Sequence, residues 1–243
     1  MRIMINHQIL ETPEQVVISL ADELKRLSEQ GKTVHVSLSG GSTPKMLFML
    51  LATDKYAQSI EWQNLNFWWG DERCVSPDDA ESNYGEANEL LFSHIVIPSE
   101  NIHRIRGENT PEEEVIRFSK EMAECIPTEN GIPVFDWILL GVGADGHTAS
   151  LFPHVTDYND SNLAIVAVHP ESGQRRVSKT AKVLEAAKRI SYLVLGKGKA
   201  EIVHEIHTTP ASQLPYPAAN IQSTLGTTEW FLDLDAAAQI TNK

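Results

Sequence analysis

The 243 residues leave room for one large domain or two small ones, and a hydrophobic fraction of 42% is enough for a sizeable core. With 20 basic and 33 acidic residues the formal net charge is −13, which excludes a general binder of nucleic acid or anionic membrane, because either needs a basic face. An anionic small molecule would have to be held by a local cluster of donors against an unfavourable overall field.

Two cysteines, Cys74 and Cys125, make neither a disulfide framework nor a zinc site. Cys74 follows Arg73, so it reads either as a thiol of lowered pKa or as a buried, inert one. The stretch Met1–Leu10 has no sustained apolar run, and no segment approaches the length of a membrane span. The simplest expectation is a reduced, soluble, cytoplasmic protein.

In chain order, Thr12-Pro13-Glu14-Gln15 opens a helix, with Thr12 as N-cap and Gln15 reaching back. Val17, Leu20, Ala21, Leu24 and Leu27 recur at helical spacing, and Gly31 stops the helix. Val34–Leu38 reads as a strand. It leads into Ser39-Gly40-Gly41-Ser42-Thr43-Pro44 and then an apolar helical run, Met46 to Leu51. Leu65–Trp69 is an aromatic-rich strand that empties into a polar loop, Gly70 to Val75. Ser82-Asn83-Tyr84-Gly85 opens a helix to about Ser93, Asn101 to Ile105 is a short strand, and Thr110-Pro111 starts a helix to about Cys125.

Phe135–Leu140 is a buried strand at the centre of the pattern. Three glycines, Gly141, Gly143 and Gly146, crowd the loop that follows, together with Asp145 and His147. Thr156 to Asn162 reads as loop and Ala164–Val168 as a strand. The basic segment Gln174–Thr180 precedes an Ala-rich helix over 182–188. Ile190–Leu195 is a strand, Gly196 to Ala200 leads to a helix ending near His207, and Trp230–Leu232 is the last strand before the run Ala236–Ala238. Alternating strands and helices predict an α/β fold with a doubly wound, mostly parallel sheet. No repeat or linker divides the chain, so residues 1–243 read as a single domain.

Strand ends in such sheets are where ligands bind. Ser39–Thr43, two glycines among hydroxyls before a helix, would make an anion cradle of backbone N–H groups, with Ser42 and Thr43 adding hydroxyl donors. The same residues also read as a structural helix start, with Thr43 as N-cap and Pro44 first in the helix. Neither the Walker frame nor the dinucleotide fingerprint is present. Arg73 at a strand end suits a bidentate pair with phosphate or carboxylate, or else pairs with Asp71, Glu72 or Asp79. Lys199 is a further cation at a strand-to-helix loop, or a solvated lysine. His147 can move a proton near neutral pH. No His/Cys/Asp set stands at metal-ligand spacing, and no Gly-x-Ser-x-Gly elbow marks a serine nucleophile.

Ser39-Gly40-Gly41-Ser42-Thr43-Pro44, Gly70-Asp71-Glu72-Arg73, Ser82-Asn83 and the run Gly141 to Pro153 together resemble the glucosamine-6-phosphate isomerase/6-phosphogluconolactonase family. Within it, the run through Ser150-Leu151-Phe152-Pro153 and the arginine of Asp71-Glu72-Arg73 are similar to the lactonases. The related deaminases carry Asp-Glu-Tyr there and differ after Asp-Gly-His. The resemblance implies a Rossmann-like three-layer sandwich, the deaminase/ribose-5-phosphate isomerase-like fold.

The same resemblance implies hydrolysis of 6-phospho-D-glucono-1,5-lactone to 6-phosphogluconate in the oxidative pentose phosphate pathway, without metal or cofactor. His147 would be the general base on water, and Asp145 would orient the imidazole or shape the turn. N–H groups around Gly143 and Gly146 are candidates for the oxyanion. The sugar-phosphate lactone would place its phosphate on Gly40, Gly41, Ser42 and Thr43 with Arg73 and Lys199 as counter-charges. Arg176 is assigned to substrate as well, although Ser172 to Ser178 lacks the family's proline-rich lead into an Arg-Ile-Thr strand. The alternatives are an isomerase or deaminase of sugar phosphates, which needs a carboxylate base beside C1 and C2, and a non-catalytic sugar-phosphate sensor, which would keep the phosphate loop and lose the histidine.

Overall fold

In the computed structural model, which describes residues 5–241, the predicted apolar runs become the strands of one sheet. The first half of the chain forms β1 (His7–Leu10), α1 (Pro13–Ser28), β2 (Val34–Leu38), α2 (Ser42–Leu51), α3 (Asp54–Ala57), β3 (Leu65–Trp69), β4 (Asp71–Arg73), α4 (Asn83–Leu90), β5 (Ile102–His103) and α5 (Pro111–Cys125). A small hairpin, β6 (Thr128–Glu129) and β7 (Ile132–Pro133), leads to the central strand β8 (Trp137–Leu140). The remainder forms β9 (Ala164–Val168), β10 (Arg175–Lys179), α6 (Ala181–Glu185), β11 (Arg189–Val194), α7 (Ala200–Thr208), α8 (Pro217–Asn220) and β12 (Thr227–Asp233).

Seven strands lie in the order β1-β12-β11-β8-β2-β3-β5, and every neighbouring pair is parallel. Helices flank this sheet, the arrangement expected when strands are apolar throughout. All residues of β2 and β8 are buried, and Trp68, Trp69, Trp137, Phe67, Phe135 and Tyr192 fill the core around them. The strand order turns at one point. From β2 the chain proceeds outward to β3 and β5, whereas from β8 it proceeds the other way to β11 and β12. The loops leaving β2 and β8 therefore diverge from adjacent strand ends and open a crevice between them, the usual ligand position in a doubly wound sheet.

Helix α1 starts as expected. Thr12 Oγ1 accepts from the Gln15 N–H at 3.3 Å, and the Gln15 side chain accepts from the Glu11 N–H at 2.9 Å. Thr110 caps nothing with its side chain; Pro111 begins α5, and the fully buried Glu114 instead accepts from Arg106 N and Asn109 Nδ2. No helix among the described residues is long and apolar enough to cross a membrane.

The observed elements differ from the expected ones in several places. Asp71–Arg73 is strand rather than loop, and the basic stretch Arg175–Lys179, given no element from sequence, is strand as well. With Ala164–Val168 they form a separate antiparallel sheet in the order β4-β10-β9, so β9 does not join the main sheet. Their charged residues hid the strand pattern: Asp71, Arg73 and Arg176 line a polar cavity, while Glu72 is held by the start of α4 and Arg175 pairs with Glu112. β1 was also absent from the expected elements; it pairs with β12 at the sheet edge, and its partial burial leaves little apolar pattern to read.

Candidate active site

The crevice between β2 and β8 continues as a cavity of about 270 Å³. Its lining unites the predicted loops: Gly40 to Thr43 from the end of β2, Arg73 from β4, Gly143 and His147 after β8, Arg176 from β10, and Lys199 after β11. Five segments distant in sequence thus meet at one end of the main sheet.

The loop after β2 departs from the structural alternative. Gly41, not Thr43, occupies the N-cap, and α2 begins at Ser42. The first N–H groups of a helix have no intrahelical partner, and with no side chain capping them here they and the positive end of the helix dipole are left to the cavity. A glycine is required at position 40, because a Cβ there would stand 1.9 Å from Asn83 Oδ1. That contact sets the loop against the N-terminus of α4.

β4 and β10 supply the cations. Arg73 and Arg176 are direct cross-strand partners, so their side chains leave the sheet on one face. Like charges placed opposite each other destabilise a strand pair, and an anion between them would reverse that cost. Arg73 forms no ion pair with Asp71, Glu72 or Asp79 among the described residues. Its Nη1 donates to the Glu81 carbonyl at 2.8 Å, and its buried Nε has no acceptor. Glu72 is occupied elsewhere, accepting from the N–H groups of Arg73, Asn83 and Tyr84 and from Ser82 Oγ at the start of α4. Arg176 is 9% exposed, and its Nη1 stands 4.0 Å from Asp71 Oδ2. Burial lowers the Arg176 pKa, Asp71 opposes that shift and Arg73 adds to it. Lys199 is no solvated lysine: its Nζ donates to the Val142 carbonyl at 2.7 Å, and burial lowers its pKa against the pull of Asp145.

The loop after β8 folds into a tight turn around Asp145. Gly146 N donates to the Gly143 carbonyl at 3.0 Å and Gly143 N to the His147 carbonyl at 2.9 Å. Both candidate oxyanion N–H groups are therefore engaged within the turn. A Cβ on Gly143 would stand 2.1 Å from His147 Nδ1, so the close approach of the imidazole demands glycine here. Asp145 Oδ1 meets His147 Nδ1 at 2.6 Å and accepts the His147 backbone N–H at 3.1 Å. Partial burial tends to raise the Asp145 pKa, but these two bonds and the imidazole charge outweigh it and hold the carboxyl below its ordinary value. An ionised carboxylate only accepts, so Nδ1 is the donor in this bond, and in the neutral tautomer Nε2 is the nitrogen with the lone pair.

With this geometry in place, comparison with known proteins assigns the chain a family. The family described as "Glucosamine-6-phosphate isomerases/6-phosphogluconolactonase" matches residues 11–230. The chain belongs to this family. It is 59% identical over 232 residues to the 6-phosphogluconolactonase of Aggregatibacter actinomycetemcomitans, covering 96% of this chain and 98% of that one. Among solved structures, the 6-phosphogluconolactonase of Trypanosoma brucei superposes with a TM-score of 0.85 at 26% identity, covering 98% and 99% of the two chains. A monomeric glucosamine-6-phosphate deaminase shares the fold, with a TM-score of 0.80 at 20% identity over 97% and 100% of the chains. Kinship therefore places the chain among the 6-phosphogluconolactonases, hydrolases of the pentose phosphate pathway.

Membership of the family accounts for the predicted loops, but other cavity residues were not singled out from sequence. Asp71 lines the cavity, 6% exposed, and accepts a 2.5 Å hydrogen bond from Ser150 Oγ. Asn83 joins it, donating from Nδ2 to the Asp71 carbonyl at 3.0 Å. The Ser39 hydroxyl is buried on the cavity wall with no partner. Asp71 and Asn83 lay inside quoted motifs, yet only pairing between β4 and β10 turns Asp71 toward the arginines. Cys74 lies outside the cavity lining, and burial raises its thiol pKa, in keeping with an inert thiol. No group of three or more His, Cys, Asp or Glu side chains among the described residues could hold a metal ion.

Proposed function

We propose that this family member hydrolyses 6-phospho-D-glucono-1,5-lactone by water attack, with His147 as the base. The observation that carries the reading is that the Asp145-oriented His147 and the uncapped N-terminus of α2 line the same cavity. The phosphate rests on the N–H groups of Gly40 to Thr43, between the cations of Arg73, Arg176 and Lys199. Anchoring at that end carries C1 of the lactone to the imidazole, and the fixed distance turns a bimolecular encounter into a positioned one.

The proton inventory then closes on one residue. Nε2 of His147 takes a proton from water as its oxygen bonds to C1, and Asp145 stabilises the imidazolium. The tetrahedral intermediate collapses with cleavage of the bond between C1 and the ring oxygen, and His147 returns the proton to that oxygen. The acid product then ionises. The N–H groups of Gly143 and Gly146 are engaged in the turn and are not free to serve the oxyanion. A lactone is an activated ester, so the scheme needs no metal.

The test is acid release from fresh phosphogluconolactone against the spontaneous rate, with and without EDTA, beside ammonia release from glucosamine-6-phosphate. Catalysed hydrolysis indifferent to chelator, with no ammonia, is expected. His147→Ala should lower kcat by about 10²–10⁴-fold with product affinity and Tm little changed. Near-normal turnover in that variant would remove His147 from the mechanism.

A further inference from the structure

Beneath the cavity lies a lysine that the mechanism does not use. Lys179, at the end of β10, is 0% exposed and has no ion-pair partner among the described residues. Its amine donates to Ser37 Oγ at 3.0 Å and to the Trp69 carbonyl. The rings of Phe135 and Phe118 stand 4.6 and 5.3 Å from Nζ and close the remaining sides. Aromatic faces favour a cation, yet an amine buried with only the Asp71 carboxylate in electrostatic reach, and not in contact with it, carries a desolvation cost that an apolar side chain of equal length avoids. Core packing alone therefore does not account for lysine at this position.

The identity of its acceptors does. Ser37 belongs to β2, and the anion loop begins two residues later at Ser39. Trp69 ends β3, and Asp71 and Arg73 follow directly in β4. Lys179 itself lies three residues beyond Arg176 on β10, and its backbone N–H donates to the Gly70 carbonyl at 2.8 Å. One side chain thus joins the two main-sheet strands that deliver the phosphate loop and Arg73 to the small-sheet strand that carries Arg176. Main and small sheets meet here, with Lys179 as the bridge.

We propose that Lys179 is a positioning residue of the anion site, setting the separation between the α2 N-terminus and the Arg73–Arg176 pair. This rests on the phosphate reading given above. The amine touches no substrate; it acts through Ser37 and Trp69 on the segments that do. Since small misplacements of a binding group cost up to about a hundredfold in rate, the effect should be large and confined to phosphorylated ligands.

The experiment compares Lys179→Met with the parent protein. Methionine has similar length and fits the aromatic cage, so Tm should not fall. Affinity for inorganic phosphate and for 6-phosphogluconate should drop about tenfold or more. The loss in kcat/KM on the phosphorylated lactone should lie in KM, while hydrolysis of unphosphorylated gluconolactone changes less than about threefold. Parallel losses on both lactones, or no loss on either, would overturn the proposal. Arg73→Ala is measured alongside. If it too leaves phosphate affinity unchanged, the phosphate site itself is misplaced; if it weakens phosphate and Lys179→Met does not, only the role of Lys179 fails. Should Lys179→Met not fold, Ser37→Ala decides. A selective loss of about threefold on the phosphorylated lactone supports the bridge, and an unchanged profile refutes it.

Discussion

Replacing Asp145 by asparagine separates the two roles the aspartate can play. Asparagine Oδ1 can still accept both the 2.6 Å contact from His147 Nδ1 and the 3.1 Å contact from its backbone N–H. The turn is then preserved and only the negative charge is lost. What that charge is worth follows from the pair's exposure. Unit charges 4 Å apart interact by about 1 kcal/mol in bulk water and about 4 kcal/mol at an effective dielectric constant near 20. The side chains of Asp145 and His147 are 53% and 27% exposed, so solvent screening keeps the pair toward the lower figure, at about 1–2.5 kcal/mol. The charge acts on the imidazolium formed during water attack, so its loss appears in kcat as roughly a 5- to 70-fold decrease. Asp145→Ala, which also removes the turn contact, should fall further and lower Tm. The assay is initial-rate acid release at fixed pH, corrected for spontaneous hydrolysis, with 6-phosphogluconate affinity as control. Full kcat in Asp145→Asn would reduce Asp145 to a turn residue, and a loss as deep as that of His147→Ala would refute the screening argument.

Arg73→Ala removes a charge-assisted contact worth roughly 1.5–3 kcal/mol, so kcat/KM on the phosphorylated lactone and affinity for 6-phosphogluconate should fall about 10- to 150-fold. Unphosphorylated gluconolactone should be nearly indifferent, and equal losses on the two lactones would make Arg73 structural. A third expectation concerns pH. Burial pushes the His35 pKa down to about 4 from its ordinary 6.5, with Asp136 partly opposing. Between those values the unfolded chain binds the proton that the folded chain refuses, so stability rises with pH across the window and is lost on acidification toward 4. The contribution is on the order of 3 kcal/mol. Urea midpoints taken from pH 7 to 4.5 should show a shallower slope in His35→Gln, and identical slopes would dismiss His35 as a source of the acid sensitivity.

Local sequence pattern was sufficient for the parallel sheet apart from its edge strand β1. Val34–Leu38 and Leu65–Trp69 were legible to the residue because buried parallel strands are apolar on both faces and end abruptly in glycine or serine. α1 was legible from its cap and its spacing. The glycine turn announced a site only together with the Ser39–Thr43 loop and Gly70–Arg73, since an acid and an imidazole in an isolated turn read as structural. In the small sheet only β9 carried such a signal. β4 and β10 are charged, and they are strands only because each finds its partner about a hundred residues away. That pairing decided which of several polar residues face the cavity: it set Arg73 opposite Arg176, turned Asp71 inward and drew Lys179 out of solvent into the junction of the two sheets. It likewise settled the alternatives that were local in sequence. Thr43 lost the N-cap to Gly41 because the loop is pressed against Asn83 of another helix, and Gly143 and Gly146 lost their free N–H groups because the turn closes on itself to hold His147. Periodicity and turn chemistry act over a few residues and so are written in the chain. The cavity's charge arrangement is set by contacts between distant segments, and only the folded packing of both sheets determines it.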